Sequence, residues 1–366
     1  MSSICEQVSG RDNREFWAEL NTRVNGGRIP FSGSLALTHK CNLDCIHCYA
    51  REKPAEKKDR AELSTHQWQG ILAELRDAGC LFLLLTGGEP LMRPDFAEIY
   101  SCAKRNGFLV TVFSNGILMD EPILDLFQHL PPRMVEFSLY GAGKETHDHI
   151  TGFPGSFQLT LKKVDELLAR GIPVGLKTVL MNLNLAERAA MQKIAADRNV
   201  RFRIDTAIFA TLEGERTPLG LRVSPRQAVE AEFSDPERVR NWIDFYHRYR
   251  NFQNSDRLYI CGAGIRTFHI NPRGMLFPCL MVQDHGYSLL KGSFSTGWHM
   301  EIAQIKRETL PDDSPCRTCP SQMLCGYCPG FFQLENGDAR VPSPYLCEIG
   351  KLRHERIIRR LEGKAS

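Results

Sequence analysis

Short apolar segments alternate with amphipathic segments along about half of this chain, and this alternation most constrains how the chain can fold. The amphipathic segments are predicted to be helices. In residues 64–79, for example, Ser64 and Gln67 form a predicted capping box ahead of an apolar face. Strands that are nearly continuous in apolar residues, each followed by a helix, predict a parallel sheet covered by helices. Six units rather than eight predict an open α/β fold, a partial (β/α)6 TIM-like barrel. The six predicted strands are Ser34–Thr38, Leu81–Thr86, Phe108–Ser114, Met134–Tyr140, Ile172–Leu180 and Arg201–Phe209.

Composition narrows the class of protein and its compartment. The chain has 366 residues, of which 42% are apolar and 24% are charged, as in ordinary globular proteins. The formal net charge of +3 gives no support for a nucleic-acid partner. We find neither a signal peptide nor a membrane-spanning apolar run, so we expect a cytoplasmic protein with no membrane partner. Thirteen cysteines in a reducing compartment indicate metal or redox chemistry rather than disulfides.

Three cysteines follow the first predicted strand directly. Cys41, Cys45 and Cys48 lie in the stretch HKCNLDCIHCYA, at the end of a strand where parallel α/β folds bind their ligands. Three thiolates can hold three irons of a [4Fe–4S] cube and leave the fourth iron open to an external ligand. Taken alone, the spacing also fits a zinc site completed by His39 or His47, or three unrelated thiols.

A glycine pair follows the second predicted strand, in TGGEP from Thr86 to Pro90. Glycines let a backbone approach a ligand closely and offer carbonyl oxygens to an ammonium group. A tight turn between strand and helix would explain the same residues, so only their position beside the cysteines favours a binding role.

With these motifs the sequence resembles the radical S-adenosylmethionine (SAM) superfamily over most of its length. The resemblance implies that Cys41, Cys45 and Cys48 bind a [4Fe–4S] cluster whose open iron holds SAM, which is cleaved to a 5′-deoxyadenosyl radical. It also implies SAM contacts, which would come from Gly87, Gly88, Glu89, Asn115 and Ser138. The segment HDHITG differs from relatives that carry an arginine near Thr151.

A second group of seven cysteines lies between Tyr259 and Cys347. Zinc knuckles are the alternative interpretation, but only five residues separate Cys319 from Cys325, where zinc ribbons have about 15–20. The pattern resembles the SPASM domain, which holds two further [4Fe–4S] clusters and would bring the total to three. The resemblance assigns one cluster to Cys261, Cys279 and Cys328, and the other to Cys316, Cys319, Cys325 and Cys347.

Three cysteines remain outside these sets. Cys80 and Cys102 are expected to be small buried apolar residues, and Cys5 has no assignment. We divide the chain into an N-terminal segment (1–33), the barrel (34–215), a helical connector (216–258), a small, loop-rich iron–sulfur domain (259–349) and a basic C-terminal helix (350–366). That last helix is expected to pack on the body of the protein.

The resemblance implies a radical SAM enzyme that modifies a ribosomally made peptide or protein by crosslinking or another C–H functionalisation. Leu280 and Met281 stand where sulfatase-maturing relatives carry an aspartate, which disfavours formylglycine chemistry. A separate leader-binding protein and a reductant such as flavodoxin or ferredoxin are the expected partners. Modification of a haem or tetrapyrrole side chain is the alternative activity, and an iron–sulfur electron-transfer protein is the alternative class. Glu136 and Lys177 could point into the barrel, but a structural ion pair explains either equally well.

Overall fold

The computed structural model describes residues 12–50, 61–251 and 254–363. Within them the strands are β1 Ser32–Ala36, β2 Phe82–Thr86, β3 Leu109–Ser114, β4 Met134–Ser138, β5 Val174–Val179, β6 Arg201–Asp205, β7 Thr267–Ile270, β8 Met275–Phe277 and β9 Tyr287–Ser288. The helices are α1 Asn13–Gly26, α2 Thr65–Asp77, α3 Phe96–Arg105, α4 Glu121–His129, α5 Lys144–Thr151, α6 Ser156–Ala169, α7 Arg188–Asp197, α8 Pro225–Phe233, α9 Pro236–Tyr249, α10 Phe294–Thr296, α11 Pro329–Asn336 and α12 Pro344–Leu361.

The strands form one open sheet in the order β6-β5-β4-β3-β2-β1-β7-β8-β9. Strands β1 to β6 pair in parallel, so the predicted α/β fold with its six-unit partial barrel is confirmed. The structure adds something that the sequence did not predict. Strand β7, from the cysteine-rich region, pairs in parallel with β1, and β8 and β9 follow as antiparallel strands.

The two faces of the sheet differ in polarity. The face that packs on the helices carries fully buried apolar side chains such as Leu35, Leu85, Val112 and Phe137. The opposite, concave face alternates with it at a period of two residues. It carries half-buried side chains, polar ones such as Ser34 and Glu136 beside apolar ones such as Leu84 and Phe113, so the interior of the barrel is not closed by packing.

Strand β7 is joined to β1 by close packing as well as by hydrogen bonds. The backbone N–H of Ser32 donates to the Arg266 carbonyl oxygen across 3.0 Å. Phe268 covers Gly33 so closely that a Cβ atom on Gly33 would lie 2.2 Å from its ring. The glycine therefore provides the space in which the cysteine-rich region joins the barrel.

Helix termini agree with the sequence signals. Ser64 caps α2 through a capping box with Gln67, and the predicted apolar face, which includes Trp68 and Leu72, is buried. Helix α12 packs on α8 and α9 with Ile357 fully buried, as expected for the basic C-terminal helix. None of the helices in the described ranges is both long and apolar enough to cross a membrane.

Of the cysteines outside the two motifs, Cys80 is buried as predicted, whereas Cys102 is only partly buried. Cys80 is 8% exposed within the main core, and Cys102 packs against that core. Cys5 lies outside the described residues.

Candidate active site

The cysteine triad lies on the loop after β1, and the end of α5 holds this loop in place. The N–H groups of Asp44 and Ile46 donate to the carbonyl oxygens of Thr151 and Ile150, each across 3.0 Å. These ladder-like bonds fix the backbone on both sides of Cys45. The loop is therefore anchored to α5, the helix that follows β4.

The triad thiols lie close enough to influence one another's protonation. Burial raises the pKa of Cys41 to about 11, with repulsion from Glu89 and Cys48 adding to the effect. Burial also raises the pKa of Cys45 well above its usual range, and the charges of Cys48 and Cys41 raise it further. Thiols that repel one another in this way need a bound cation to stay ionised.

Two buried nitrogen atoms on the triad loop have no protein partner among the described residues, namely Asn42 Nδ2 and His47 Nδ1. Unpartnered buried polar atoms are rare, and a sulfur-rich anionic group would satisfy them. The triad residues and their surroundings therefore fit an iron–sulfur cluster.

The glycine turn after β2 packs directly on this loop. The N–H of Gly88 donates to the Thr38 carbonyl oxygen, and that of Glu89 to the Lys40 carbonyl oxygen, each across 2.8 Å. Gly87 has a φ of 146°, and a Cβ atom on it would lie 2.5 Å from the Thr38 carbonyl oxygen. A Cβ atom on Gly88 would lie 2.3 Å from the Lys40 carbonyl oxygen. Both glycines are thus required for the turn to contact the triad loop.

Glu89 lies beneath this turn with its carboxylate enclosed by protein donors. It accepts hydrogen bonds from the Ser114 hydroxyl, the Asn115 N–H and the Leu91 N–H at 2.9, 2.7 and 3.1 Å. Burial raises its pKa to about 7, although these three bonds act in the opposite direction. The Asn115 side chain in turn donates to Asn42 Oδ1 across 2.8 Å. Glu89 therefore joins the ends of β2 and β3 to the triad loop.

Ser138 ends β4 on the concave face, where it pairs in register with Lys177 of β5. Glu136 lies on the same face, and its Oε2 atom forms an ion pair with Arg203 Nη2 across 3.1 Å. Lys177 Nζ lies 2.9 Å from the centroid of the Phe113 ring, and burial lowers the lysine pKa to about 7. Glu136 and Lys177 both face the barrel interior, and the Glu136 contact is the structural ion pair considered from the sequence.

Thr151 does not face the barrel. It is 1% exposed, and its hydroxyl lies 2.7 Å from the Ser156 hydroxyl. Its small side chain lies at the end of α5.

The seven thiols of the cysteine-rich region separate into two groups in space. Burial raises the pKa of Cys328 to about 12, and the charges of Cys279 and Cys261 add to this. Burial raises the pKa of Cys325 to about 12 as well, but there the added charges are those of the outer thiols. These outer thiols are Cys347, Cys319 and Cys316. Cys325 and Cys328 thus face different groups although only two residues separate them.

Tyr327 lies between the two groups. Burial raises the pKa of Tyr327 above the usual range. The charges of Cys316 and Cys325 from one group, and of Cys328 and Cys261 from the other, raise this pKa further. Its hydroxyl is buried without a partner among the described residues, as are both amide atoms of Gln322. The Tyr327 hydroxyl and the Gln322 amide nitrogen are donors, which would suit sulfur-rich groups. No three His, Cys, Asp or Glu side chains in the described ranges converge on a site for a single metal ion.

A cavity of about 320 Å³ opens inside the barrel between these elements. Gly87 and Gly88 line one part of it, and Leu280 and Gln283, which follow Cys279, line another. A second cleft, lined by Cys41, Cys45 and Cys48, adjoins this cavity, since His39, Gly88 and other residues line both. We call it the triad cleft. A molecule in this cavity would therefore contact both the glycine turn and the segment after Cys279.

The cavity also contains residues that the sequence analysis missed. Ser34 and His269 are on its wall, with Ser34 Oγ and His269 Nδ1 2.7 Å apart. Neither belongs to a spacing motif. The pairing of β7 with β1, which brings them together, is a long-range contact that local patterns do not reveal.

An open parallel barrel with a thiol triad after β1, and a glycine turn packed on that triad, defines an enzyme of the SAM-cleaving iron–sulfur class. Comparison with known proteins agrees. Residues 35–194 match the Radical SAM superfamily. The chain is 30% identical over 301 residues to the mycofactocin maturase MftC of Mycobacterium tuberculosis, covering 79% of this chain and 75% of that protein. The chain therefore belongs to the radical SAM superfamily.

Other relatives differ in what their names describe. The AdoMet-dependent heme synthase of Methanosarcina barkeri is 24% identical over 340 residues, covering 84% of this chain and 94% of that protein. The PqqA peptide cyclase of Xanthomonas euvesicatoria is 26% identical over 335 residues, covering 87% and 88%. Streptococcus suis SuiB bound to the precursor peptide SuiA superposes with a TM-score of 0.70 at 15% identity, covering 93% of this chain and 83% of that one. That similarity concerns the fold.

Proposed function

We propose that this radical SAM enzyme modifies a ribosomally made peptide, forming a crosslink or functionalising a C–H bond. When bound at Cys41, Cys45 and Cys48, a [4Fe–4S] cluster supplies the electron that cleaves SAM to a 5′-deoxyadenosyl radical. Gly87, Gly88, Asn115 and Ser138 would hold SAM at the strand ends. Glu89, enclosed by its three donors, would act by keeping the turn and Asn115 in position.

The single observation that carries the proposal is the position of the cavity. It lies between the glycine turn and the segment after Cys279, and its volume of about 320 Å³ is near the lower end of ligand sites, which run from about 300 to 1,000 Å³. SAM held at the glycine turn would occupy one part of this space and leave the part beside Leu280 to a substrate side chain. Peptide modification is also the activity in the name of the PqqA peptide cyclase.

We infer two further [4Fe–4S] clusters in the cysteine-rich region. Cys261, Cys279 and Cys328 would hold the inner cluster, and Cys316, Cys319, Cys325 and Cys347 the outer one. The electrostatic interactions of Cys325 and Cys328 with separate groups of thiols support this division. A separate leader-binding protein would present the peptide, and a reductant such as flavodoxin or ferredoxin would supply electrons.

Haem or tetrapyrrole modification is the second candidate, and the similarity to the heme synthase favours it. The two candidates differ in the size of substrate that must reach the barrel. Incubation of the reduced enzyme and SAM with a precursor peptide encoded beside its gene, or with an iron porphyrin, separates them by mass spectrometry. Loss of two hydrogens from the peptide supports our proposal. Consumption of the porphyrin alone would contradict it and support haem or tetrapyrrole modification.

The cluster assignment is tested by iron analysis and SAM cleavage after anaerobic reconstitution. Three cubes require about twelve irons per chain. Replacing the three triad cysteines by alanine should abolish 5′-deoxyadenosine formation and leave about eight irons. Cleavage by the triple variant would refute the SAM site. About four irons in the unmodified enzyme would refute the two additional clusters and support an electron carrier or a simpler enzyme, according to whether SAM is cleaved.

A further inference from the structure

Lys306 lies against the main chain of Cys261, one of the three thiols that we assign to the inner cluster. Its Nζ atom donates to the Cys261 carbonyl oxygen across 2.8 Å and to the Tyr259 carbonyl oxygen across 3.0 Å. One ammonium group thus bonds the backbone at two residues of the same short segment. The lysine therefore fixes the backbone that presents the Cys261 thiol.

The segment that carries Lys306 is itself packed on the turn after Cys261. Lys306 lies in the 3-10 helix Ile302–Arg307, in which Ile305 is fully buried. Gly264 has a φ of 67°, and a Cβ atom on it would lie 2.9 Å from Ile305 Cγ2. The turn and the helix therefore form one packed unit, which holds the ammonium at a fixed place beside the cysteine.

The Lys306 ammonium has no carboxylate partner within the described residues. It is partly buried, and both hydrogen bonds of its Nζ atom go to backbone carbonyl oxygens. The charged groups that act on it are the Cys261 thiol and two further cations, Arg257 and Arg28. A partly buried cation beside other cations is unfavourable unless an anion lies among them. These contacts therefore point to an anionic group at Cys261.

We propose that Lys306 raises the reduction potential of the inner cluster by placing a positive charge beside Cys261. Three thiolates outweigh the positive charge of the iron core, so the cluster would be an anion, and uptake of one electron from the reductant would make it more negative. A nearby cation favours that reduced state, because the potential of an iron–sulfur cluster depends on the charges around it. This inference rests on the inner cluster of the proposed function. Lys306 is a positioning residue that acts through Cys261 and belongs to no cysteine motif.

The test compares Lys306→Gln, which removes the charge and keeps a donor, with Lys306→Arg, which keeps the charge. Each reconstituted enzyme is titrated anaerobically with dithionite and followed by electron paramagnetic resonance. In Lys306→Gln the equilibrium constant for reduction of the inner cluster should fall about tenfold, the effect of one partly screened charge. For a one-electron couple this is a decrease of about 59 mV. Lys306→Arg should keep the original potential. Cys261→Ser alters a ligand of the inner cluster and so identifies its signal.

The matched control is Lys291→Gln, which removes an exposed lysine of the same region and should shift no potential. An unchanged inner potential in Lys306→Gln, or an equal decrease in Lys306→Arg, would overturn the proposal. If Lys306→Gln loses the iron of this cluster, Lys306→Arg decides: retained iron and potential support the requirement for a charge, and their loss contradicts it.

Iron analysis of the unmodified enzyme separates the two levels of the argument. An enzyme without the iron of the inner cluster would refute both the proposed cluster and this inference. About twelve irons with a potential that does not respond to Lys306 would refute this inference alone.

Discussion

The Arg353 guanidinium donates to both carboxylate oxygens of Glu232, and each donor–acceptor distance is 2.7 Å. The side chains are 10% and 8% exposed, so the ion pair between α12 and α8 is buried. A third bond runs from Arg353 Nη1 to the Leu324 carbonyl oxygen across 2.7 Å. The pair thus fixes the residue that precedes Cys325.

Replacing Arg353 by methionine should destabilise the protein by about 3 kcal/mol, because Glu232 would remain buried without its partner. The change in the free energy of unfolding is obtained from the shift of the denaturant unfolding midpoint. Iron analysis should show that the variant loses the iron of the outer cluster. Arg356→Met on the same helix is the matched control, since Arg356 pairs with Glu230 at 3.7 Å in a more exposed position. Its effect should stay below about 1 kcal/mol. Equal destabilisation by Arg353→Met and Arg356→Met would contradict the stabilising role of the buried ion pair between Arg353 and Glu232.

Gly88→Ala should weaken SAM binding at least about tenfold. The new Cβ atom would lie 2.3 Å from the Lys40 carbonyl oxygen, and backbone cannot yield as a flexible side chain does. The turn must then separate from the triad loop. Equilibrium dialysis of SAM measures the effect.

The control for that change is Gly70→Ala, an exposed position in α2 where a Cβ atom meets nothing within 4 Å. It should stabilise the protein by up to about 1 kcal/mol through helix propensity and leave SAM affinity unchanged. Unaltered SAM affinity in Gly88→Ala would show that the contact between turn and loop is dispensable.

His147 should make the protein sensitive to acid. Its Nδ1 atom accepts the Tyr140 N–H across 3.1 Å, and burial lowers its pKa to about 4. Between that value and the unfolded pKa of about 6.5, the unfolded chain binds a proton that the native ring does not. Stability should therefore fall as pH decreases through this window, by up to about 1.4 kcal/mol per pH unit from this residue.

His147→Gln removes the titration and keeps an acceptor for Tyr140. Unfolding midpoints recorded from pH 6.5 to 4.5 should decline less steeply in this variant than in the unmodified protein. His129→Gln, at an exposed site on α4, should match the unmodified protein. Parallel curves for all three proteins would rule out the contribution of His147.

Tyr327→Phe should preserve the iron content and change the redox properties of an auxiliary cluster. Loss of a hydrogen-bond donor disfavours the more negative reduced state, so one reduction potential should fall by about 40 mV for a bond of about 1 kcal/mol. Redox titration followed by electron paramagnetic resonance measures it. Tyr100→Phe removes a phenol on α3 that donates to Leu130, and should shift no potential. Identical titrations for Tyr327→Phe would show that its hydroxyl does not interact with either cluster.

Local patterns predicted much of this molecule. The six barrel strands and the Ser64 cap could be predicted from the sequence because each depends on neighbours in sequence. The triad and the glycine turn were located because strand ends of parallel sheets lie together. The hydrogen bonds of Glu89 with Ser114 and Asn115 could not be predicted, because they depend on the register of β2 and β3.

The junction of β7 with β1 was missed for a similar reason. Strands β7, β8 and β9 have four, three and two residues, too few for a periodic signal. Strand β7 pairs with β1, which lies more than two hundred residues away in sequence, as the pairing of Ser34 with His269 shows. The wall of the cavity was therefore invisible to sequence reasoning, although the motifs at its ends were recognised.

The continuous sheet limits how this architecture can be divided or exchanged. Strand β1 has neighbours on both sides, β2 and β7, and so is an interior strand. A barrel expressed without its cysteine-rich region would present β1 as an open edge, with unpaired backbone groups that invite aggregation. Recombination between relatives would succeed only if β7 and its fit over Gly33 were inherited together with the barrel. A chimera whose crossover lies between β6 and β7 would take the two sides of this junction from different parents and should therefore fold poorly.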